Sequence, residues 1–284
     1  MSNSGTAVHV IGASGRSGGA LCRSLMADGV PIVPVVRDPA KWRGTAPRVA
    51  DVTDPARLRG VLQDAARVVC CAHARHAAAV IDAAPPEARL IFLGSTRKFT
   101  HWPDRHGDGV LAGEAAFTTS GRSGVMLHPT MIYGAQGEDN VQRLAVLLRR
   151  LPIVPLPDGG RALVQPIHQD DVTRAIRAAL EHRWAGPHSL VIAGATSLPY
   201  ADFVRAVTAA AGLRPPRIIG IPAGPLMALA GILRYIPLLP RIRPAEIRRL
   251  MEDKSFDVRP MIETLGFEPI ALREGLARTF TDRR

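Results

Sequence analysis

Seven residues near the amino end, Gly12-Ala13-Ser14-Gly15-Arg16-Ser17-Gly18, have the spacing G-x-x-G-x-x-G. They follow an apolar run at 7–11 and open a stretch of helical patterning that reaches about Asp28. The chemistry such a loop serves is anion binding. Glycines let the backbone approach a pyrophosphate closely, and the following helix presents free N–H groups and its positive dipole end to the charge. The strand–turn–helix context makes the triplet more specific than glycine spacing alone. The next apolar run, 32–36, ends in Arg37-Asp38-Pro39-Ala40-Lys41. An acidic residue there accepts from both ribose hydroxyls and selects NAD(H). A guanidinium instead grips a 2′-phosphate through parallel hydrogen bonds. Arg37, with Arg16 and Lys41 beside it, therefore points to NADP(H), and NAD(H) is the alternative if Asp38 turns inward. Asp51-Val52 after the third run fits an adenine-contacting turn or a strand-end cap.

Composition narrows the class. The chain has 284 residues, 46% hydrophobic and 21% charged, which is globular and excludes disorder. Its 36 basic and 25 acidic side chains give a net charge of +11, raising nucleic acid, a membrane surface or a phosphorylated ligand as partners. Only Lys41, Lys98 and Lys254 are lysines, and the arginines are scattered. Nucleic-acid binding needs a clustered basic stripe with exposed aromatics, and aromatics are 5% here, so that partner is excluded. Cys22, Cys70 and Cys71 have no C-x-x-C spacing, which fits reduced thiols, a cytoplasmic location and no structural zinc. The residues from Met1 to Gly5 lack a secretory pattern. The longest charge-free stretch, 218–233, is 16 residues long with Pro222 and Pro225 inside it, too short to span a membrane.

Short apolar runs alternate with helical patterns through the first half. Strands are expected at 7–11, 32–36, 48–50, 68–72, 90–93 and 125–127, with helices at 54–65, 73–84 and 114–120 between them. At 54–65, Asp54 suits the N-cap, Pro55 the first turn, and Leu58, Val61 and Leu62 one face. Wholly apolar strands joined by helices imply a parallel sheet covered on both faces. The expected fold is thus a doubly wound α/β Rossmann-type sheet with a smaller C-terminal substrate lobe. Residues 1–135 form the nucleotide domain. Helices at 140–150 and 171–182 and strands at 162–167 and 189–193 follow, with 162–193 returning to the sheet. Residues 136–161 and 194–284 make the lobe.

Several segments together resemble the extended or atypical short-chain dehydrogenase/reductase superfamily, which includes the NAD-dependent epimerase/dehydratase proteins. They are the loop, Arg37–Lys41, Asp51-Val52-Thr53-Asp54 and Phe92-Leu93-Gly94-Ser95-Thr96. His128-Pro129-Thr130-Met131-Ile132-Tyr133-Gly134 is similar to that superfamily's R-P-x-x-x-Y-G, with His128 replacing arginine. Pro166-Ile167-His168-Gln169-Asp170-Asp171-Val172 is similar to its H-x-D-D-V helix start, and Leu265-Gly266-Phe267-Glu268-Pro269 to its near-terminal L-G-F-x-P. The likeness runs through nearly the whole chain. It implies a cofactor across the carboxyl edge of the sheet, with Cys71, Ala72 and Pro129 among its contacts, and a small-molecule substrate under the lobe.

The resemblance also implies a Ser/Thr, a Tyr and a Lys four residues after the Tyr. Ser95 matches the first. No Y-x-x-x-K exists: Tyr133, Tyr200 and Tyr235 are followed at that spacing by Gly137, Val204 and Leu239. Counting back from the helix at 114–120 puts the pair on His106 and Val110. His106 or the nearby His101 is one replacement acid, since imidazole titrates near neutrality. Tyr133 is another. A nucleotide kept as a structural or sensing ligand is the third reading. Arg97 and Lys98 are expected as solvated charges or as holders of an anionic substrate. His168, Asp170 and Asp171 are expected to start a helix and not to bind metal. The apolar segment 226–235, flanked by Arg234, Arg241 and Arg243, suits either packing over the pocket or peripheral membrane contact. A homo-oligomer is compatible with all of this. The expected function is an NADP(H)-dependent oxidoreductase or epimerase-like enzyme acting on a small polar or sugar-derived carbonyl or alcohol. The alternative is a catalytically silent NADP(H)-binding sensor or assembly protein.

Overall fold

The structure, a computed structural model, describes residues 6–134, 140–227 and 244–281. Six strands come first in the chain: β1 (Val8–Ile11), β2 (Ile32–Val36), β3 (Arg48–Val49), β4 (Arg67–Cys70), β5 (Arg89–Leu93) and β6 (Gly124–Pro129). After them come β7 (Ile132–Tyr133), β8 (Ile153–Pro157), β9 (Leu163–Val164), β10 (Ile167–His168), β11 (Pro187–Ile192), β12 (Leu198–Pro199) and β13 (Arg217–Ile221). The central sheet has seven strands in the order β11-β6-β5-β4-β1-β2-β3, and every pairing in it is parallel. The chain runs outward from β1 to β3 and then restarts on the other side at β4. That reversal leaves a crevice beyond the carboxyl ends of β1 and β4, where open α/β sheets bind ligands.

The wholly buried strands explain the layers. Along β5, Leu90 and Phe92 point to one face and Ile91 and Leu93 to the other. One face is covered by α1 (Arg16–Ala27) and, later in the chain, by a helix at Gln169–Glu181. The opposite face is covered by α2 (Pro55–Leu62), α3 (Ala77–Ala83) and α4 (Arg105–Thr119). Leu58 and Leu62 are fully buried there, each contributing about 1.5–3 kcal/mol by leaving water. Phe92 and Phe117 meet edge to face at 5.1 Å. The doubly wound expectation is met.

The remaining helices are α5 (Asn140–Arg150), α6 (Gln169–Glu181), α7 (Tyr200–Ala210), α8 (Pro244–Arg249), α9 (Arg259–Leu265) and α10 (Leu272–Thr281). A separate core joins α5, α7 and α10 to β8 and β9 through Val141, Leu148, Val154, Phe203, Val207 and Leu276. The second half is not cleanly divided from the sheet. β11 extends it beside β6, α6 packs on α1, and α9 adds Met261 and Leu265 to the same face.

Three local differences from the sequence reading have physical causes. The strand expected at 162–167 is split. Pro166 has no N–H to donate, β9 pairs antiparallel with β12, and β10 pairs parallel with β7, so neither joins the central sheet. The helix expected at 73–84 is a 3₁₀ turn at Ala74–His76 followed by α3. Helix α4 begins at Arg105, nine residues before the expected 114, so His106 lies in a helical first turn and not in a polar loop. Asp104 caps it, its carboxylate accepting from the N–H groups of His106 and Gly107, both at 2.9 Å. Gly107, Gly109 and Gly113 hide this helix from propensity, yet they allow its close packing: a Cβ on Gly113 would run into the Ala74 carbonyl.

Among the described residues no helix is long and apolar enough to cross a membrane. Of the segment 226–235, only Leu226 and Met227 fall within the described residues; Arg234, Tyr235, Arg241 and Arg243 lie outside them.

Candidate functional site

The glycine loop forms the floor of the crevice between β1 and α1. Gly12 has φ 79°, a left-handed conformation, and a Cβ on it would stand 3.2 Å from the Ala72 nitrogen. Gly18 lies directly against the Gly12 carbonyl, leaving no room for a side chain. Gly15 N-caps α1 and, having no side chain, gives the helix end no side-chain cap hydrogen bond of its own. The residues present fit a dinucleotide pyrophosphate: a side-chain-free approach onto an uncapped helix N-terminus. Ala13 is buried beneath the loop, and Ser14 and Arg16 are exposed on it. Ser17 faces the other way, its hydroxyl donating to Gln169 Oε1 at 3.1 Å and tying α1 to α6.

At the end of β2 the three charged residues separate by role. Arg37 is exposed. The Asp38 carboxylate caps the turn at Pro39–Lys41, accepting from the Ala40 N–H at 3.0 Å, and the Lys41 ammonium lies 3.7 Å from it. After β3, Asp51 accepts from the Thr53 N–H at 2.9 Å and from its hydroxyl at 2.7 Å. Those bonds, with the Arg37 and His76 charges nearby, hold its carboxyl below the usual range. Val52 packs against the sheet face that carries α2 and α3. Cys71, half-buried, follows β4, its N–H donating to the Ile11 carbonyl at 2.9 Å. Burial pushes its thiol well above the ordinary value, and the buried Cys22 and Cys70 thiols up to about 12.

The ends of β4 and β5 and the start of α4 carry His73, Ser95 and His106. Ser95, directly after Gly94, caps the turn at Thr96–Phe99: its Oγ accepts from the Arg97 N–H at 3.1 Å. Its own hydroxyl proton is thereby left to donate. The Arg97 guanidinium pairs with Asp104, the α4 cap, Nε lying 2.8 Å from Oδ2. In the first turn of α4, His106 meets His73, the residue after Ala72. His73 Nε2 and His106 Nδ1 are 3.1 Å apart, and the rings are edge to face at 4.4 Å. Burial first, then the His106 and Arg75 charges, lower the His73 pKa to about 4. Burial and the Arg97 charge also lower that of His106. Both rings are neutral at neutral pH.

A polar cluster sits beneath Ser95. The buried His128, on β6, accepts from the Ser95 N–H at its Nδ1, 3.3 Å away, and its ring lies against Gly94, where no Cβ fits. Burial, then the Lys98 charge, brings the His128 pKa down to about 4. Lys98 is 9% exposed, its ammonium 2.6 and 2.7 Å from the two Glu114 oxygens. Ser189, on β11, donates to Glu114 at 2.5 Å. The expectation of solvated charges at Arg97 and Lys98 is therefore corrected: each is committed to an ion pair that fixes the Ser95 turn. Pro129 ends β6, its carbonyl accepting from Thr96 Oγ1 at 3.2 Å.

Tyr133 does not face the crevice. It is fully buried in the lobe core, its hydroxyl against Gly275 and its ring edge-on to His168 at 5.2 Å. Burial and the Asp171 charge push its pKa up, so it is not placed to donate a proton to a ligand at the sheet edge. His101 is exposed, its N–H donating to Glu252 at 2.7 Å. His168 caps α6 by accepting from the Asp170 N–H at 3.2 Å. Asp171, buried, accepts from the Ile270 N–H at 2.8 Å, so this trio starts a helix and anchors the C-terminal segment. No group of three metal-ligating side chains occurs among the described residues. The sequence reading missed His73, Asp104 and Glu114. His73 had a signal, since it follows the strand that borders the crevice.

Fold and loop together define the class: a Rossmann-type protein with a glycine-rich loop between its first strand and first helix. A family described as NAD(P)H-binding matches residues 12–110. No curated protein matches the sequence. The fold is similar to that of an NADPH-dependent quinone oxidoreductase from Escherichia coli complexed with NADPH. The TM-score is 0.76 at 20% identity, over 96% of this chain and 100% of that one. It is similar also to MoeE5 in complex with UDP-glucuronic acid and NAD, with TM-score 0.74, 20% identity and coverage of 98% and 99%. A UDP-glucose 4-epimerase from Thermotoga maritima has TM-score 0.72 at 14% identity, covering 97% of each chain. The doubly wound Rossmann-type fold implied by the motifs is thus the fold observed.

Proposed function

We propose that the chain is an NADP(H)-dependent oxidoreductase that reduces a small polar or sugar-derived carbonyl, or oxidises the matching alcohol, without a Tyr-Lys pair. The observation that carries this reading is the run of hydrogen bonds that links the Ser95 turn to the start of α4. Arg97 donates to Ser95 from its backbone and pairs through its side chain with Asp104, which caps the turn holding His106. Ser95 and the His106 backbone thereby belong to one hydrogen-bonded frame. Arg37 supports the choice of cofactor, because Asp38 is committed to its own turn and Lys41 is drawn toward it, leaving the exposed guanidinium for a 2′-phosphate. Gly12, Ala13, Ser14, Gly15, Arg16 and Gly18 hold the pyrophosphate. Asp51, Val52, Cys71, Ala72 and Pro129 line the rest of its bed.

When bound, the reduced cofactor supplies a hydride to the carbonyl carbon. Ser95 donates its hydroxyl proton as a hydrogen bond to the substrate oxygen, and His106 faces the same oxygen. Their bonds strengthen as charge develops there, which is where binding accelerates a reaction. Titration with NADPH, then measurement of its consumption over aldehydes, ketones, quinones and nucleotide sugars, tests the reading. Turnover with at least one of these, reduced about a hundredfold in Ser95→Ala with NADPH affinity kept, is the expected result.

The missing Tyr and Lys favour a second reading, a protein that holds NADP(H) without turnover as a sensor or assembly factor. Tight NADPH binding with no consumption across all four carbonyl classes would decide for it.

A further inference from the structure

The hydrogen bonds around His73 fix more than its position. Its Nδ1 receives two donors from Arg75, the backbone N–H at 3.1 Å and the side-chain Nε at 3.3 Å. A backbone N–H cannot become an acceptor, so Nδ1 of the neutral His73 ring carries a lone pair and Nε2 carries the proton. That Nε2–H points at His106 Nδ1, 3.1 Å away, while Arg75 Nη2, a donor that a protonated Nε2 does not accept from, stands 3.4 Å from the same nitrogen. His106 Nδ1 is then the acceptor, and the His106 proton sits on Nε2. The His106 backbone is pinned independently by Asp104, and Gly107 lies against the Arg97 carbonyl, so the main chain that carries the ring is held in place. Among the described residues no protein acceptor is assigned to His106 Nε2, and the residue is half-buried, not sealed.

We propose that His73 is a positioning residue that locks His106 as a neutral imidazole presenting its Nε2–H to the substrate oxygen, so that His106 acts as a fixed hydrogen-bond donor and not as a proton-transferring acid. This rests on the reductase reading and specifies how the site works without Tyr and Lys. The surroundings agree. Arg75, Arg97 and Arg249 are cations about the pair. His76 borders it, and Asp104, already paired with Arg97, is the carboxylate facing it. A second positive charge on either ring is disfavoured there, while negative charge growing on a substrate oxygen is favoured. The chemistry balances without a protein acid. The carbonyl carbon gains a hydride and its C=O π bond becomes an oxygen lone pair. The alkoxide, held by Ser95 and His106, then takes a proton from water, releasing hydroxide to solvent. His106 keeps its Nε2 proton throughout.

The test reads the tautomer directly. In the ¹⁵N-histidine-labelled full-length chain, with His106→Ala to assign the signals, His106 is expected to show an unprotonated Nδ1 and a protonated Nε2 from pH 6 to 8. His73→Ala is expected to mix the two tautomers and lower kcat at least tenfold with KM for NADPH unchanged. His73→Gln, whose amide N–H replaces the donor, is expected to restore most of both. The kcat of the wild type is expected to stay flat from pH 6 to 8. A His106 Nδ1–H signal overturns the proposal. So does a kcat that falls tenfold per pH unit above neutrality, the mark of an imidazolium acid, or a His73→Ala variant with unchanged tautomer and kcat. The spectra need no turnover. Absence of NADPH consumption with the locked tautomer intact removes the reductase reading and the substrate role, whereas a lost lock with turnover intact removes only this inference.

Discussion

At the scale of single residues, cofactor choice turns on which charges the fold leaves available. Arg37 and Asp38 are adjacent in the chain, and sequence alone leaves open which one meets the cofactor. The fold separates them, because Asp38 follows the extended end of β2 and its carboxylate closes a turn that begins with Pro39. Replacing Arg37 with Ala removes charge-assisted hydrogen bonds worth about 1.5–3 kcal/mol, so NADPH is expected to bind ten- to a hundredfold more weakly while NADH affinity stays within about twofold. Equilibrium titration of the variant with both nucleotides checks this. The same scale shows where sequence reading stops. The absence of Tyr and Lys at the expected spacing was legible at once. The partner of His106 was not, because His73 lies 33 positions away and meets it only when β4 and α4 are packed. Lys98 carried no sign of burial either, since its carboxylate partner comes from the far end of α4 and its second neighbour from β11.

At the scale of elements, close approach decides which glycines matter. Gly60 in α2 has open space where a Cβ would stand, whereas a Cβ on Gly113 in α4 meets the Ala74 backbone. Gly60→Ala is expected to stabilise by about 0.5–1 kcal/mol, through helix propensity alone. Gly113→Ala is expected to destabilise by about 1–3 kcal/mol, because the obstacle is backbone and the helix must move outward. Thermal melts of the two variants, one rising and the other falling by a few degrees, would separate packing from propensity. The sheet was the legible part of the fold, since apolar runs such as 68–72 and 90–93 leave few alternatives to a covered parallel strand. Helix α4 was not legible at its start. Three glycines in its first nine residues weaken the helical signal that Asp104 would otherwise announce, and the tertiary contacts that require those glycines are invisible in sequence.

At the scale of the whole molecule, buried histidines couple stability to pH. His73 and His128 each titrate near 6.5 when unfolded and near 4 in the fold, lowered by burial. The unfolded chain therefore takes up protons that the folded chain refuses as pH falls through that window. Their stabilisation is complete above about pH 6.5 and is lost progressively toward pH 4. Glu114 adds to the loss at the acid end. Burial opposes its ionisation, but the Lys98 and Ser189 hydrogen bonds and the His128 and Lys98 charges outweigh burial and lower its pKa below 4.5. Melting temperature is expected to be level from pH 7 to 8 and to fall steadily from 6.5 to 4, with a shallower slope in His128→Asn. The net charge of +11 first suggested a polyanionic partner. In the fold, many of those arginines pair with carboxylates or carbonyls, as Arg48 does with Asp64, Arg174 with Asp171 and Arg122 with Ala88. Basicity is largely structural, and its bearing on function narrows to the few cations at the carboxyl edge of the sheet.

The claim that joins these scales is that the carboxyl edge is built for a 2′-phosphorylated dinucleotide. Equilibrium titration of the full-length chain with NADPH and with NADH at one salt concentration tests it most directly. A dissociation constant at least tenfold lower for NADPH is expected; equal affinities, or tighter binding of NADH, would contradict a 2′-phosphate site at Arg37.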